Sequence, residues 1–379
     1  MIKKFSVLYV GHLELENVGR GGTAADARRY PNERFQEAYW TARDAAQLMD
    51  ELGYWCLWTA EHHFQREGYE VFPNLVLLNT WLATQTKRLK HGCAFNTLTT
   101  WHPIRLAEDY AVADIVTGGR VILGVGRGYQ TREVETLGAP LIDADANREL
   151  FEESVDLLVK ALHDDVLQHD GKHFQIPARV PYRGYDLEDI TVVPRPLRQP
   201  VEMWQAISSG RTISFIAKRG IKGITTLTGE LMVEQIAHQY RDAAAEVGRD
   251  LALGEDISRG FGLYIADTEH EAIERLRPFH DERYKWFAPF GIVRYTDEKG
   301  QPIGTPGGDG LPAIEDGVSQ QAWLCGPPET IVARLKEWEE RYPGLEHVMI
   351  HWAEGMPWSV FEEQLRVFAA EVMPHFPSS

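Results

Sequence analysis

VTGGRVILGVGRGY, residues 116–129, decides how this chain is built. An amphipathic stretch over 103–115, opened by Pro103, runs into Thr117, Gly118 and Gly119, and glycines there suit a tight helix stop. Val121–Gly126 follows as a short apolar run between turn residues, which reads as a buried strand. The strand leaves through Gly124, Gly126 and Gly128, with Arg127 between the last two. The dinucleotide fingerprint would need its third glycine at 129, where Tyr129 stands, so that motif fails on spacing. What remains is a backbone free to approach a ligand and a planar cation suited to a phosphate. A glycine-rich strand exit with a solvated arginine fits the same residues.

The same helix–turn–strand unit recurs on both sides. Strand-like runs fall at 5–10, 54–60, 92–98, 121–126, 201–207, 223–228, 260–267 and 347–353. A stripe of 3.6-residue period over 33–52, stopped by Gly53, separates the first two. Helical stretches at 75–86, 147–163, 212–219, 268–285 and 328–341 separate others. Strands joined by crossover helices pair in parallel, and eight such units close most readily into an α/β (β/α)₈ TIM barrel. A doubly wound open sheet is the alternative. The length suits one domain over 1–379. Two stretches exceed the plain barrel. Residues 164–200 are proline-rich and end PRPLRQP; residues 286–326 form a long Gly/Pro-rich segment. The second lies after strand seven, on the face where barrel enzymes carry their sites, and is expected to be a lid insertion.

Composition narrows the partners. Lys+Arg 39 against Asp+Glu 56 gives a net charge of −17, which argues against nucleic acid or an anionic membrane as partner. With 44% hydrophobic and 25% charged residues the profile is that of a soluble globular protein. No stretch approaches the roughly 18–20 apolar residues of a membrane span. The first residues do not read as a signal peptide. Cys56, Cys93 and Cys325 are widely separated and each sits in or beside an apolar segment, so free buried thiols and a cytoplasmic location are expected.

In a barrel, the C-terminal ends of distant strands meet at one mouth. Glu61, His62 and His63 arrive there from strand two, Asn96 and its successors from strand three, Gly126 to Tyr129 from strand four. SSGRT, 208–212, leaves strand five and begins a helix; Ser209 suits the N-cap, and the helix N-terminus is a potential anion site. Adjacent histidines on an extended chain diverge, unlike the i, i+4 pair of a zinc helix, so no metal is expected. A core histidine held by hydrogen bonds and an acid–base or ligand-ordering histidine both remain open.

Taken together, EHHF (61–64), TLTTWHP (97–103), DIVTGGRVILGVGRGYQTREVETLG (114–138), GKHF (171–174), VVPRPLRQP (192–200) and CGPPETIVARL (325–335) resemble the bacterial luciferase-like flavin-dependent monooxygenases. The resemblance implies a (β/α)₈ barrel with an insertion after strand seven. It implies reduced FMN (FMNH₂) at the mouth, O₂ as co-substrate, and attack on a small organic substrate through a flavin C4a-peroxide. It implies a separate NAD(P)H flavin reductase and a homodimer or homotetramer. His62 matches the histidine beside the flavin that assists proton transfer. Ala94 and Phe95 match a dipeptide with a non-prolyl cis bond against the flavin ring, followed by Asn96. Arg127, Ser209 and Thr212 match phosphate-binding positions, with Ser208 and Gly210 in the same segment. Two positions depart from the luciferases: Gly126 replaces a reactive cysteine and Leu227 a tryptophan, so light emission is not expected. The apolar WFAPFGIV at 286–293 suggests a fairly hydrophobic substrate. Other readings are a deazaflavin-dependent hydride-transfer enzyme, a non-catalytic flavin-binding protein, and, more distantly, a metal hydrolase.

Overall fold

Eight parallel strands close on themselves in the computed structural model, which describes residues 1–207, 209–296, 303 and 311–377. They are β1 (Lys4–Tyr9), β2 (Cys56–Thr59), β3 (Lys90–Cys93), β4 (Val121–Gly126), β5 (Met203–Ala206), β6 (Lys222–Thr226), β7 (Ile257–Ile265) and β8 (His347–His351). Each pairs with its successor; Gly124 lies opposite Trp204 across β4–β5, and Phe5 opposite Val348 where β8 returns to β1. Helices α1 (Asn32–Leu52), α2 (Leu75–Thr84), α3 (Pro103–Thr117), α4 (Ala144–His163), α5 (Gly210–Arg219), α6 (Glu230–Ala245), α7 (Glu269–Phe287), α8 (Pro328–Arg341) and α9 (Trp358–Val367) surround them. The (β/α)₈ barrel expected from the alternation is the observed fold.

Strand periodicity of two sorts the side chains into two cores. Leu57 of β2 joins the large core between barrel and helices, whereas Cys56 and Trp58 point inward with Leu8, Ile122, Trp204, Ile224 and Met349. Trp58 meets Trp204 edge-on at 5.5 Å, and both rings lie within about 6 Å of His347. These rings fill the lower barrel. They fit because Gly92 has no side chain: a Cβ there would stand 2.1 Å from Trp58 Cε3. A cavity lies above this filled floor, at the C-terminal mouth.

Three local expectations change. The strand-like run 92–98 is broken: β3 ends at Cys93, and Asn96–Thr97 pairs separately with Val125 and Gly126, the Ala94–Phe95 peptide between them being cis as the resemblance implied. The segment 286–326 is not irregular throughout. Its last residues, Trp323–Gly326, form a strand parallel to Gly262–Ile265 of β7, preceded by the short helix Ile314–Ser319. Residues 297–302 and 304–310 of that segment lie outside the described residues. Helices α6 and α9 were not anticipated; α6 buries Val233, Ile236, Ala237 and Tyr240 on one face.

Candidate active site

A cavity of about 380 Å³ opens at the C-terminal ends of the strands. Leu8, Val10, Ala60, Ile224 and Met349 form its apolar floor. Ala94 and Phe95 form one wall. Glycines let that wall close on β4: a Cβ on Gly124 would stand 1.9 Å from the Cys93 carbonyl oxygen, and one on Gly126 would stand 3.2 Å from Phe95 Cβ. Asn96 is fully buried and its Nδ2 donates to the Gly124 carbonyl at 2.9 Å, so its side chain holds β4 rather than lining the cavity.

Arg127 lines the cavity between Gly126 and Gly128. Its Nη1 donates to Asn147 Oδ1 of α4 at 3.1 Å, which fixes the guanidinium. Burial, with Arg148 and Arg211 nearby, disfavours its charge, only partly offset by Glu152. Positive charge is thus crowded at this end of the cavity. Arg211 opens the first turn of α5 and pairs with Glu152 at 3.1 Å. Ser209 caps α5, accepting from Thr212 N–H at 3.3 Å, with the Ser209 and Thr212 hydroxyls 3.0 Å apart. Gly210 is the first residue of that helix. Ser208 lies outside the described residues. Arg148 pairs with the same Glu152 at 4.0 Å, so of the three arginines only Arg127 lines the cavity.

His62 sits at the opposite side, buried but lining the cavity. Its Nε2 lies 2.9 Å from Glu70 Oε1 and its Nδ1 3.1 Å from Glu133 Oε2. A carboxylate facing each ring nitrogen favours the doubly protonated imidazolium. Burial works against that charge, but Glu70 and Glu133 outweigh it and push the pKa up to about 10. Burial likewise raises Glu133, yet His62 and the Gln65 and His63 N–H donors bring it below its ordinary value. The carboxylates are themselves held. Gln65 Nε2 donates to Glu70 at 2.9 Å and to Glu133 at 3.1 Å; Glu70 also accepts from Gln130 Nε2 at 3.0 Å, Tyr129 OH at 3.1 Å and Trp286 Nε1 at 3.4 Å. Glu61 and His63 turn to each other at 3.2 Å, and Trp101 Nε1 donates to Glu61 at 3.1 Å, tying down the loop.

The roof comes from the end of α7 and the residues after it: Arg283, Phe287, Phe290, Gly291, Ile292 and Arg294. Arg283 Nη1 donates to His351 Nε2 at 2.9 Å and pairs with Glu354. Burial would raise Glu354, but Arg283 and His351 hold it down at about 2. Of the residues singled out in the sequence, His62, Ala94, Phe95 and Arg127 share this cavity; Ser209, Gly210 and Thr212 stand at the α5 terminus; Asn96 faces the wall. Glu70, Glu133, Gln130, Arg283 and His351 were not singled out. His351 ends β8, so the strand-end rule alone would have found it. Among the described residues no group of three or more His, Cys, Asp or Glu is arranged to hold a metal, and no helix is long and apolar enough to cross a membrane.

The family model for luciferase-like monooxygenases matches residues 17–343. The chain belongs to that family. It is 26% identical over 346 residues to the oxygenase component of the flavin-dependent trigonelline monooxygenase of Acinetobacter baylyi, covering 89% of each chain. It is 24% identical over 338 residues to an F420-dependent glucose-6-phosphate dehydrogenase of Amycolatopsis mediterranei, covering 86% of this chain and 91% of that one. The fold matches the oxygenating constituent of 3,6-diketocamphane monooxygenase from Pseudomonas putida, solved with FMN, with a TM-score of 0.74 over the full length of both chains at 18% identity.

Proposed function

We propose that this luciferase-like enzyme is the oxygenase component of a two-component system: it takes FMNH₂ from a separate NAD(P)H reductase and uses O₂ to oxygenate a fairly hydrophobic small organic substrate. The observation that carries the reading is the layout of one cavity, with Arg127 at one end, an apolar floor and an Ala94–Phe95 wall beside it, and His62 with its two carboxylates at the opposite side. Such a cavity fits a molecule with a flat ring system and a phosphate tail. Arg127, with Ser209 and Thr212 at the α5 terminus, would hold the phosphate; Ala94 and Phe95 would support the ring. Reduced FMN, when bound, supplies the electrons with which O₂ is activated. The chain's own contribution is to orient, to exclude water and to fix charge. The aromatic and aliphatic side chains of Phe287, Phe290 and Ile292 cover the chamber, and the segment 286–326 that begins there would serve as its lid.

The F420-dependent relative supports a second reading, hydride transfer with a deazaflavin. Anaerobic titration of the purified protein with FMNH₂ and with reduced F420 separates the two. A panel of apolar substrates with FMNH₂ and ¹⁸O₂, read by mass spectrometry, then tests oxygenation. Tight FMNH₂ binding with one labelled oxygen in a product is expected. Binding of reduced F420 alone, or no labelled product with any substrate, overturns the proposal.

A further inference from the structure

The grip on His62 has a chemical consequence. A general base needs a free lone pair, and both ring nitrogens of His62 face carboxylates: Nε2 lies 2.9 Å from Glu70 and Nδ1 3.1 Å from Glu133. The arrangement is assembled from three separate pieces of chain. His62 leaves β2, Glu70 lies on the loop that follows, and Glu133 stands on the short helix Thr131–Val134 beyond β4. That helix is placed by Gly128, whose φ of +77° admits glycine and whose hydrogen leaves room for Val134, since a Cβ would stand 2.4 Å from Val134 Cγ2. Gln65 bridges the two carboxylates, so neither is free to swing away alone.

We infer that Glu70 and Glu133 are positioning residues: they hold both ring nitrogens of His62, keep it an imidazolium through the neutral range, and so place a fixed cation rather than a base at this corner of the cavity. The inference rests on the proposed reading only in taking the cavity as the reaction chamber. The groups that face the triad are few. Tyr129, at the exit of β4, packs edge-on against the His62 ring at 5.4 Å and donates to Glu70. Gln130 approaches His62 Nδ1 at 3.4 Å and also donates to Glu70. From α7, Trp286 donates to Glu70 and Arg283 feels its charge, as does His351 of β8. Tyr129, Gln130 and Trp286 thus hold Glu70 in place beside His62. The proton-transfer role implied by the family resemblance therefore narrows, at His62, to the direction of donation.

The experiment is ¹⁵N NMR titration of the histidine side chains in the flavin-free protein, with His62→Asn used to assign the His62 signals. The wild-type ring is expected to remain doubly protonated to about pH 8.5, well past the ordinary imidazole range. Glu133→Gln and Glu70→Gln keep the side-chain shape while removing one charge, and each is expected to lower the His62 midpoint by about one pH unit or more, a roughly tenfold loss of proton affinity. The pH profile of product formation should gain a limb at the new midpoint in each variant. A wild-type His62 that titrates at the ordinary value overturns the inference, and so do glutamine variants that leave its midpoint unmoved. If the variants fail to fold, the wild-type titration decides alone. Because no flavin is present, the result is independent of whether FMNH₂ binds.

Discussion

Arg127→Ala tests the phosphate end of the cavity most directly. The guanidinium reaches the site already oriented by Asn147, so an anion gains a charge-assisted bond without ordering a mobile side chain. One hydrogen bond to a charged group contributes about 1.5–3 kcal/mol, which corresponds to a roughly 10–150-fold change in dissociation constant. One feature pulls the expectation toward the lower half of that range, and a second limits how far. Arg148 and Arg211 remain near and continue to attract an anion. Arg211, however, is already engaged by Glu152 at 3.1 Å and cannot fully substitute. We expect FMNH₂ to bind about 10–50-fold more weakly to the variant. The decisive comparison is with reduced riboflavin, which has the same ring system and no phosphate. Anaerobic fluorescence or calorimetric titration should show riboflavin affinity changed by less than about twofold, since the ring wall of Ala94 and Phe95 is untouched. An FMNH₂ affinity that is unaltered, or that falls in parallel with riboflavin, refutes the placement of the phosphate at Arg127.

Three further outcomes follow from the packing and the charges. Gly92→Ala would push a methyl into the Trp58 ring in a filled barrel floor; we expect a loss of about 1–3 kcal/mol or more in urea unfolding, and no loss would mean that the floor is looser than it looks. Glu282→Ala leaves the buried Arg28 without the carboxylate that meets its Nη2 at 2.9 Å and removes the acceptor for Gly19 N–H and Lys285. A loss of about 3–5 kcal/mol and faster proteolysis within residues 11–31 are expected, and an unchanged denaturation midpoint would contradict this. The His62 triad links stability to pH. The folded pKa of about 10 lies above the ordinary 6.5, so its stabilisation is complete below about pH 6.5 and is lost as pH rises toward 10; Glu133, depressed in the fold, loses its contribution as pH falls below its ordinary 4.5. Thermal denaturation across pH 4–10 should lose its His62-dependent alkaline slope in His62→Asn, and an identical slope in that variant would refute the link.

How much of this was legible depended on the kind of physics involved. The barrel was legible because burial on both faces makes parallel strands short apolar runs, and helices with their own period separate them. Helix α6 went unread although Val233, Ile236, Ala237 and Tyr240 carry helical spacing. Trp323–Gly326 was not legible, because a four-residue strand after a Gly/Pro-rich stretch has too little pattern to stand out. The break at Ala94–Phe95 leaves no mark on periodicity, since the residues on either side stay buried. At the site, the strand-end rule placed His62 and Arg127 at one mouth without any knowledge of their contacts, and the family resemblance added Phe95. It could not see Glu70 and Glu133. In sequence they are two among many acidic residues on loops and helix starts, eight and 71 positions from the histidine they hold. Their effect arises only when the loop after β2 folds back and the helix beyond β4 is turned in by Gly128. Sequence position tells which side chain reaches the cavity; the protonation state of that side chain belongs to its neighbours in space. A histidine at a strand end is therefore half an assignment. Whether it takes a proton, gives one or stays charged is written in the two carboxylates that no local pattern marks.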